Sequence, residues 1–206
     1  MCDETLSDNV MIHSEKLIDK ARVGEEKAIS TLVGLWYKRI YNLAYKYFLD
    51  HDLAMDVTQK TFISMYGNIE GLKEAGRFKA WLYRIAMNHC HDEDRRSKRS
   101  LTISFSRNLD ESENYEKVKS TEAHPDIKLD QTELSDMMRD ALRILSAEQR
   151  EVLVMKEYEG LKFREIAEVL DISENTVKSR LYYALSNMKK ILKAKNITKE
   201  TVYYER

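Results

Sequence analysis

The sequence predicts an all-α protein of two small helical domains joined by a flexible acidic linker. Only six glycines and one proline occur in 206 residues, of which 33% are charged and 43% hydrophobic. That composition suits long helices with few turns and argues against a glycine-punctuated α/β enzyme. Apolar residues recur at helical spacing up to Arg96, thin out from Ser97 to His124 among Ser, Asn, Glu and Lys, and then return. The length accommodates two modest cores. The expected organisation is a first domain over 10–96, a linker over 97–124 and a second domain over 125–195.

In the first domain, the segment DHDLAMDVTQKTFISMYGNI places Ala54, Val57, Thr58, Thr61, Phe62 and Met65 on one helical face, the expected core side. Asp52, Asp56, Gln59 and Ile63 lie opposite. Carboxylates alone on such a stripe read as a solvated face, but Ile63 among them suits a partner helix better than water.

The next segment, GRFKAWLYRIAMNHCHDEDRR, puts Phe78, Leu82, Ile85 and His89 on a core-side stripe and Arg84, Asn88, His91 and Arg95 on an outer one. Arg, Asn, His and Arg in line suit a nucleic-acid track. Asn88 offers donors and an acceptor to an unpaired base. The preceding loop, Glu70 to Arg77, is the expected wall of a base pocket, with Gly71 and Gly76 letting it bend closely. Trp81 is expected in the core and Tyr83 is open as a stacking platform, although aromatics at helical spacing belong more often to cores. The run His89 to Asp94 invites a metal reading. However, His89 and His91 point about 160° apart on a helix, and no further Cys or His is grouped to complete a site. No metal or other cofactor is expected.

Pro125 stands where the first turn of the second domain's opening helix is expected, with Leu134, Met138, Ala141 and Leu145 forming its stripe. Ser146 with Gln149 is a capping-box pattern that opens another helix, and Gly160 ends it. In FREIAEVLDISENTVKSRLYYAL the inner residues are Ile166, Ala167 and Leu170, then Ile172 in a turn, then Val177, Leu181 and Met188. This is helix-turn-helix spacing. Ser173 is placed to cap the second helix. Asp171 holds the turn position where glycine is usual, and Asp tolerates a left-handed backbone better than most residues. Away from the core, Asn175, Ser179 and Tyr182 share one face with Lys178 and Arg180 on its flanks, and Thr176 lies beside them. These are base-reading and phosphate-holding types, though an ordinary solvated helical hairpin has the same outline.

The formal charge of −1 conceals segregation. Thr176 to Lys199 holds seven basic residues and no acid, Arg95 to Arg107 holds five and no acid, and Asp110 to Asp136 holds nine acids against three lysines. The basic clusters are candidate phosphate surfaces. Cys2 and Cys90 are distant and belong to no Cys-x-x-Cys spacing, so neither a disulfide framework nor a zinc site is indicated and free thiols are expected. The acidic start and the absence of a long apolar run predict no membrane insertion and a cytoplasmic location.

Three stretches, LVGLWYKRIYNLAYKYFLDHDLAMDVTQKTF, FKAWLYRIAMN and LSAEQREVLVMKEYEGLKFREIAEVLDISENTVKSRL, together resemble the extracytoplasmic-function sigma factors of the sigma-70 family. The resemblance implies a sigma-2-type helical bundle that binds the clamp of core RNA polymerase and reads and melts the minus-ten element. It also implies a sigma-4-type domain that binds the flap and reads the minus-thirty-five element. Core-polymerase contacts then fall on Asp52, Asp56, Gln59 and Ile63, minus-ten contacts on Arg84, Asn88, His91 and Arg95, and minus-thirty-five contacts on Asn175, Thr176, Lys178, Ser179, Arg180 and Tyr182. Lys60 departs from the family pattern, which usually has Glu beside that Gln. The acidic linker resembles the segment such factors thread through polymerase, though a solvated tether carries the same charge. Promoter DNA and an anti-sigma factor complete the implied partners, and no enzymatic role is expected.

The alternatives are a helix-turn-helix regulator that binds duplex DNA without polymerase and a metal-dependent enzyme built on His89 to Asp94. The regulator would need no core polymerase. The enzyme would need bound metal, and no nucleophile elbow, phosphate loop or carboxylate pair supports it.

Overall fold

The computed structural model describes residues 15–107 and 138–194, with side chains over 15–97 and 138–193. Every regular element among them is helical. The first domain comprises α1 (15–22), α2 (Glu26–Phe48), α3 (His51–Asn68) and α4 (Phe78–Arg107). The second comprises α5 (138–144), α6 (Ala147–Leu153) extended by a π-helical turn at Val154–Tyr158, α7 (Phe163–Leu170) and α8 (Glu174–Ala194). Residues 97–107, assigned to the linker by composition, continue α4 as helix. The rest of the expected linker, Pro125, Leu134, Cys2 and the last residues of the chain lie outside the described residues.

Local chemistry sets the breaks. Leu49 ends α2 in the left-handed conformation at φ 58°, and the Asp50 carboxylate then accepts from the Leu53 N–H at 2.9 Å to open α3. Ser146 accepts from the Gln149 N–H at 3.3 Å, and Gly160 takes φ 64° after the π turn. Asp171 adopts φ 56° and ψ 47° in the helix-turn-helix bend, where the sequence had raised a left-handed backbone. The loop before α4 differs from expectation. It consists of two right-handed 3-10 turns, Ile69–Gly71 and Ala75–Arg77, and neither Gly71 nor Gly76 has positive φ, so the bend does not draw on glycine's freedom.

The expected face of α3 is buried in full: Ala54, Val57, Thr58, Thr61, Phe62 and Met65. The Thr58 and Thr61 hydroxyls donate to the carbonyls of Ala54 and Val57 at 2.6 and 2.7 Å, so neither is left unpaired in the core. In α4 the buried sector is wider than the predicted stripe and rotated from it. Phe78 and Leu82 are buried as expected, but Ile85 and His89 are only half-buried, whereas Tyr83, Ala86, Met87 and Cys90 are fully enclosed. The reason is that α4 packs on α2 and α3 from one side and on α7 of the second domain from another. Tyr83 is therefore not a stacking platform. Its ring meets Trp36 edge-on at 6.0 Å, and its hydroxyl donates to Glu159 at 2.7 Å. Trp81 is half-buried against Phe78.

In the second domain, Ile166, Val177, Leu181 and Met188 are buried as the spacing requires, and Val169 and Ala184 join them. Ala167, Leu170 and Ile172 are half-buried at the edge of this core. The Ser173 hydroxyl accepts from the Thr176 N–H at 3.0 Å, capping α8.

Candidate polymerase and nucleic-acid interfaces

Asp52, Gln59 and Ile63 are exposed on α3 and Asp56 is half-exposed. Ile63 and Tyr66 show 63% and 62% of their surface. Asp56, Gln59 and Ile63, with Val33, Tyr37 and Phe62, line an open groove of about 750 Å³ between α2 and α3. An apolar floor with a carboxylate and an amide on its rim suits the side of an amphipathic helix. Lys60, the departure from the family pattern, sits beside this groove. Its ammonium bonds the Asp56 carboxylate and reaches Glu93 of α4 at 3.2 Å. The Asp56 bond, first among the causes, raises the lysine's pKa. Asp56 thus presents a carboxylate that is already partly neutralised, a feature the stripe pattern alone did not reveal.

Arg84, Asn88, His91 and Arg95 share the outer face of α4, as their spacing dictates. Asn88 and Arg95 are exposed, with Arg95 paired to Asp92 one turn back. The other two are engaged by the second domain. The Arg84 guanidinium donates to the Glu168 carbonyl of α7, and His91 Nε2 lies 2.7 Å from Glu151 Oε2 of α6. That bond raises the His91 pKa above its ordinary 6.5 against the opposing effect of burial. His89 faces the other way, 2.9 Å from the Ser64 hydroxyl, and burial lowers its pKa. No group of three metal-ligating side chains converges among the described residues. Burial pushes the Cys90 thiol far up, so it stays protonated and unreactive.

On α8, Asn175, Lys178, Ser179 and Tyr182 are exposed, Tyr182 by 71%. Thr176 is half-buried and its hydroxyl bonds Ser173 at 2.8 Å. Arg180 turns inward to Glu151 at 3.0 Å. Glu151 is only 3% exposed and holds both Arg180 and His91. It is the residue the sequence reading missed. Lying in the continuous α6 run of Glu148 to Leu153, it carries no local signal, and only the assembly of α4, α6 and α8 makes it a shared anchor.

Residues 32–100 match the family described as Sigma-70 region 2, and residues 135–188 match Sigma-70, region 4. The chain belongs to the sigma-70 family. Within it, the chain falls in the extracytoplasmic-function group. It is 28% identical over 179 residues to an ECF RNA polymerase sigma-E factor of Haemophilus influenzae, covering 82% of this chain and 90% of that one. It is 28% identical over 180 residues to the ECF RNA polymerase sigma factor SigW of Bacillus subtilis, covering 87% and 96%. In fold it is similar to CnrH in complex with the cytosolic domain of CnrY, at a TM-score of 0.64, 22% identity and coverage of 88% and 97%. It is equally similar to the sigma factor RpoE in complex with the anti-sigma factor NepR from Bartonella quintana, at 0.64, 23%, 81% and 98%. Region 2 falls on the helices that carry the groove and the α4 track, and region 4 on the helix-turn-helix. The match to region 2 favours a sigma factor over a helix-turn-helix regulator that works without polymerase.

Proposed function

We infer that this chain is an RNA polymerase sigma factor that binds core polymerase, directs it to promoters with minus-ten and minus-thirty-five elements and helps open them. The observation that carries the reading is the pairing of two basic tracks, on α4 and α8, with a separate groove on α3 that mixes exposed Ile63 and Tyr66 with Asp56 and Gln59. DNA contacts need cations and amides, and a protein partner needs the apolar groove. Asp52, Asp56, Gln59 and Ile63 are assigned to the polymerase clamp. Arg84, Asn88, His91 and Arg95 are assigned to the minus-ten element, with Asn88 holding an unpaired base. Asn175, Thr176, Lys178, Ser179, Arg180 and Tyr182 are assigned to the minus-thirty-five element. The chain acts by binding, without a catalytic step of its own, and its partners place it in the cytoplasm. Among the described residues no helix is long and apolar enough to cross a membrane. Likeness in fold to CnrH solved with the cytosolic domain of CnrY, and to the sigma factor RpoE solved with the anti-sigma factor NepR, supports an anti-sigma factor as a further partner. The domain limits 10–96 and 125–195 are part of the same proposal.

Run-off transcription with purified core polymerase on genomic fragments tests the reading. Discrete transcripts that appear only when this protein is added are expected. Specific footprints by the free protein at physiological salt, with no such transcripts, would favour a regulator that works without polymerase.

A further inference from the structure

Lys60 stands between two carboxylates on different helices. Its ammonium bonds Asp56 Oδ2 one turn back on α3 and reaches Glu93 Oε2 on α4 at 3.2 Å. Glu93 is in turn held by Arg96 at 3.5 Å, and only 20% of its side chain is exposed. The lysine is therefore anchored from behind by α4, whereas Asp56 keeps 44% of its side chain open on the rim of the groove. Gln59, next to Lys60 in sequence, is exposed and lines the same groove. The Asp56 bond raises the lysine's pKa, so the ammonium stays charged across the ordinary pH range.

We propose that Lys60 is a positioning residue for the polymerase interface, holding the Asp56 carboxylate on the rim of the groove already paired for burial against the clamp. This role rests on the assignment of Asp56 to the clamp and deepens it. Two physical effects support it. A free aspartate on a helix surface samples several rotamers, and fixing it in advance removes that ordering cost from binding. A carboxylate buried at an interface without a partner also carries a desolvation penalty, and Lys60 supplies the partner from within the chain. The bond uses one carboxylate oxygen, and an ionised carboxylate offers about four lone-pair sites. Asp56 thus enters the interface with its charge compensated and acceptor capacity to spare, which suits hydrogen-bond donors on the clamp and depends little on a clamp cation. Glu93 matters because an isolated i, i+4 pair on a helix surface is weak. A second acid on a second helix limits where the ammonium can go.

The test measures dissociation of the full chain from purified core polymerase as a function of salt. Lys60→Met keeps most of the stem and removes the charge. It should speed dissociation about three- to fivefold, within the range of a partly exposed ion pair, and steepen the salt dependence, since the bare carboxylate then meets the clamp uncompensated. Lys60→Arg, which keeps the charge, should restore both values, and Glu93→Gln should move them part of the way. Thermal stability should change little in all three. Asp56→Asn should weaken binding, and because the lysine acts through Asp56, adding Lys60→Met to that variant should have no further effect. A full additional loss in the Asp56→Asn background, or dissociation and salt dependence unchanged by Lys60→Met alone, would overturn the positioning role while leaving α3 as the clamp surface. Unchanged binding by Asp56→Asn itself would instead remove Asp56 from the interface, and with it the assignment on which the role rests.

Discussion

The outer faces of α3 and α4 are drawn by the same helical arithmetic, yet one is open and the other is partly engaged by the second domain. On α3, the residues opposite the core look out over a groove, and its large apolar side chains Ile63 and Tyr66 stay exposed among the described residues. On α4, two of the four outer residues, Arg84 and His91, bond a second domain whose sequence begins far downstream, while Asn88 and Arg95 stay exposed. The lesson is that periodicity identifies what faces away from a helix's own domain. Whether that direction is solvent depends on chain distant in sequence.

The sharpest way to break the comparison is at α3. Asp56→Arg should weaken core-polymerase binding about tenfold or more in a competition assay, with thermal stability nearly unchanged because the site is half-exposed. Unchanged affinity would make α3 as irrelevant to polymerase as any solvated stripe.

A smaller effect is expected on α4. Asn88→Ala should slow open-complex formation about fivefold, or about 1 kcal/mol, the lower end of the range for one good base contact. A defect that persists on a template already mismatched at the minus-ten element, with altered base preference, is the expected outcome of base capture. Rescue on that template would assign Asn88 to melting, and wild-type rates on both would remove it from the site.

On α8 the comparison sharpens further, because Arg180 is inward and Ser179 outward. Arg180→Ala should lower the salt slope for a minus-thirty-five duplex by about one unit, whereas Ser179→Ala should change sequence preference. A salt slope that does not change would mean Arg180 stays with Glu151 when DNA binds. Preference changed by Arg180→Ala instead would mean the helix is rotated relative to the groove.

The smallest expected effect is on pH. His91 is faced by Glu151 from α6, Asp94 and Arg95 from its own helix and the Tyr47 ring from α2, with Arg180 of α8 on the far side of Glu151. Its folded value lies above 6.5, so the ion pair contributes fully below that value and is lost as pH rises through the raised one. Thermal stability should therefore decline modestly as pH rises from about 6 to about 8, and His91→Gln should flatten the profile. An equal decline in that variant would place the titration elsewhere.

Much of the fold was legible locally because helices report their burial in steps of roughly 100° per residue. The α3 core face, the Ser146 and Ser173 caps, the Gly160 stop and the left-handed Asp171 all depend on groups within a few positions of one another. The exposure of Asp52, Gln59, Ile63, Asn88 and Ser179 agrees with the faces their spacing assigns, whereas Arg180 turns inward to Glu151. Tyr83 was left open, and Ile85 and His89 were placed too deep, because α4 has a second neighbour. Lys60 between Asp56 and Glu93, and Glu151 between His91 and Arg180, escaped because each joins residues on separate helices.

By itself, then, the sequence determined that the chain is helical, where its turns fall, which side of each helix is apolar and which residue types are available to polymerase and DNA. All of these follow from short-range sterics, capping and the transfer of apolar side chains out of water. Only the tertiary structure decided that the acids of α6 and α7 lie against the cations of α4 and that one buried glutamate serves both domains. Coulombic and hydrogen-bond partners are chosen by distance in space, and the chain brings His91 and Glu151 to 2.7 Å across 60 positions of sequence.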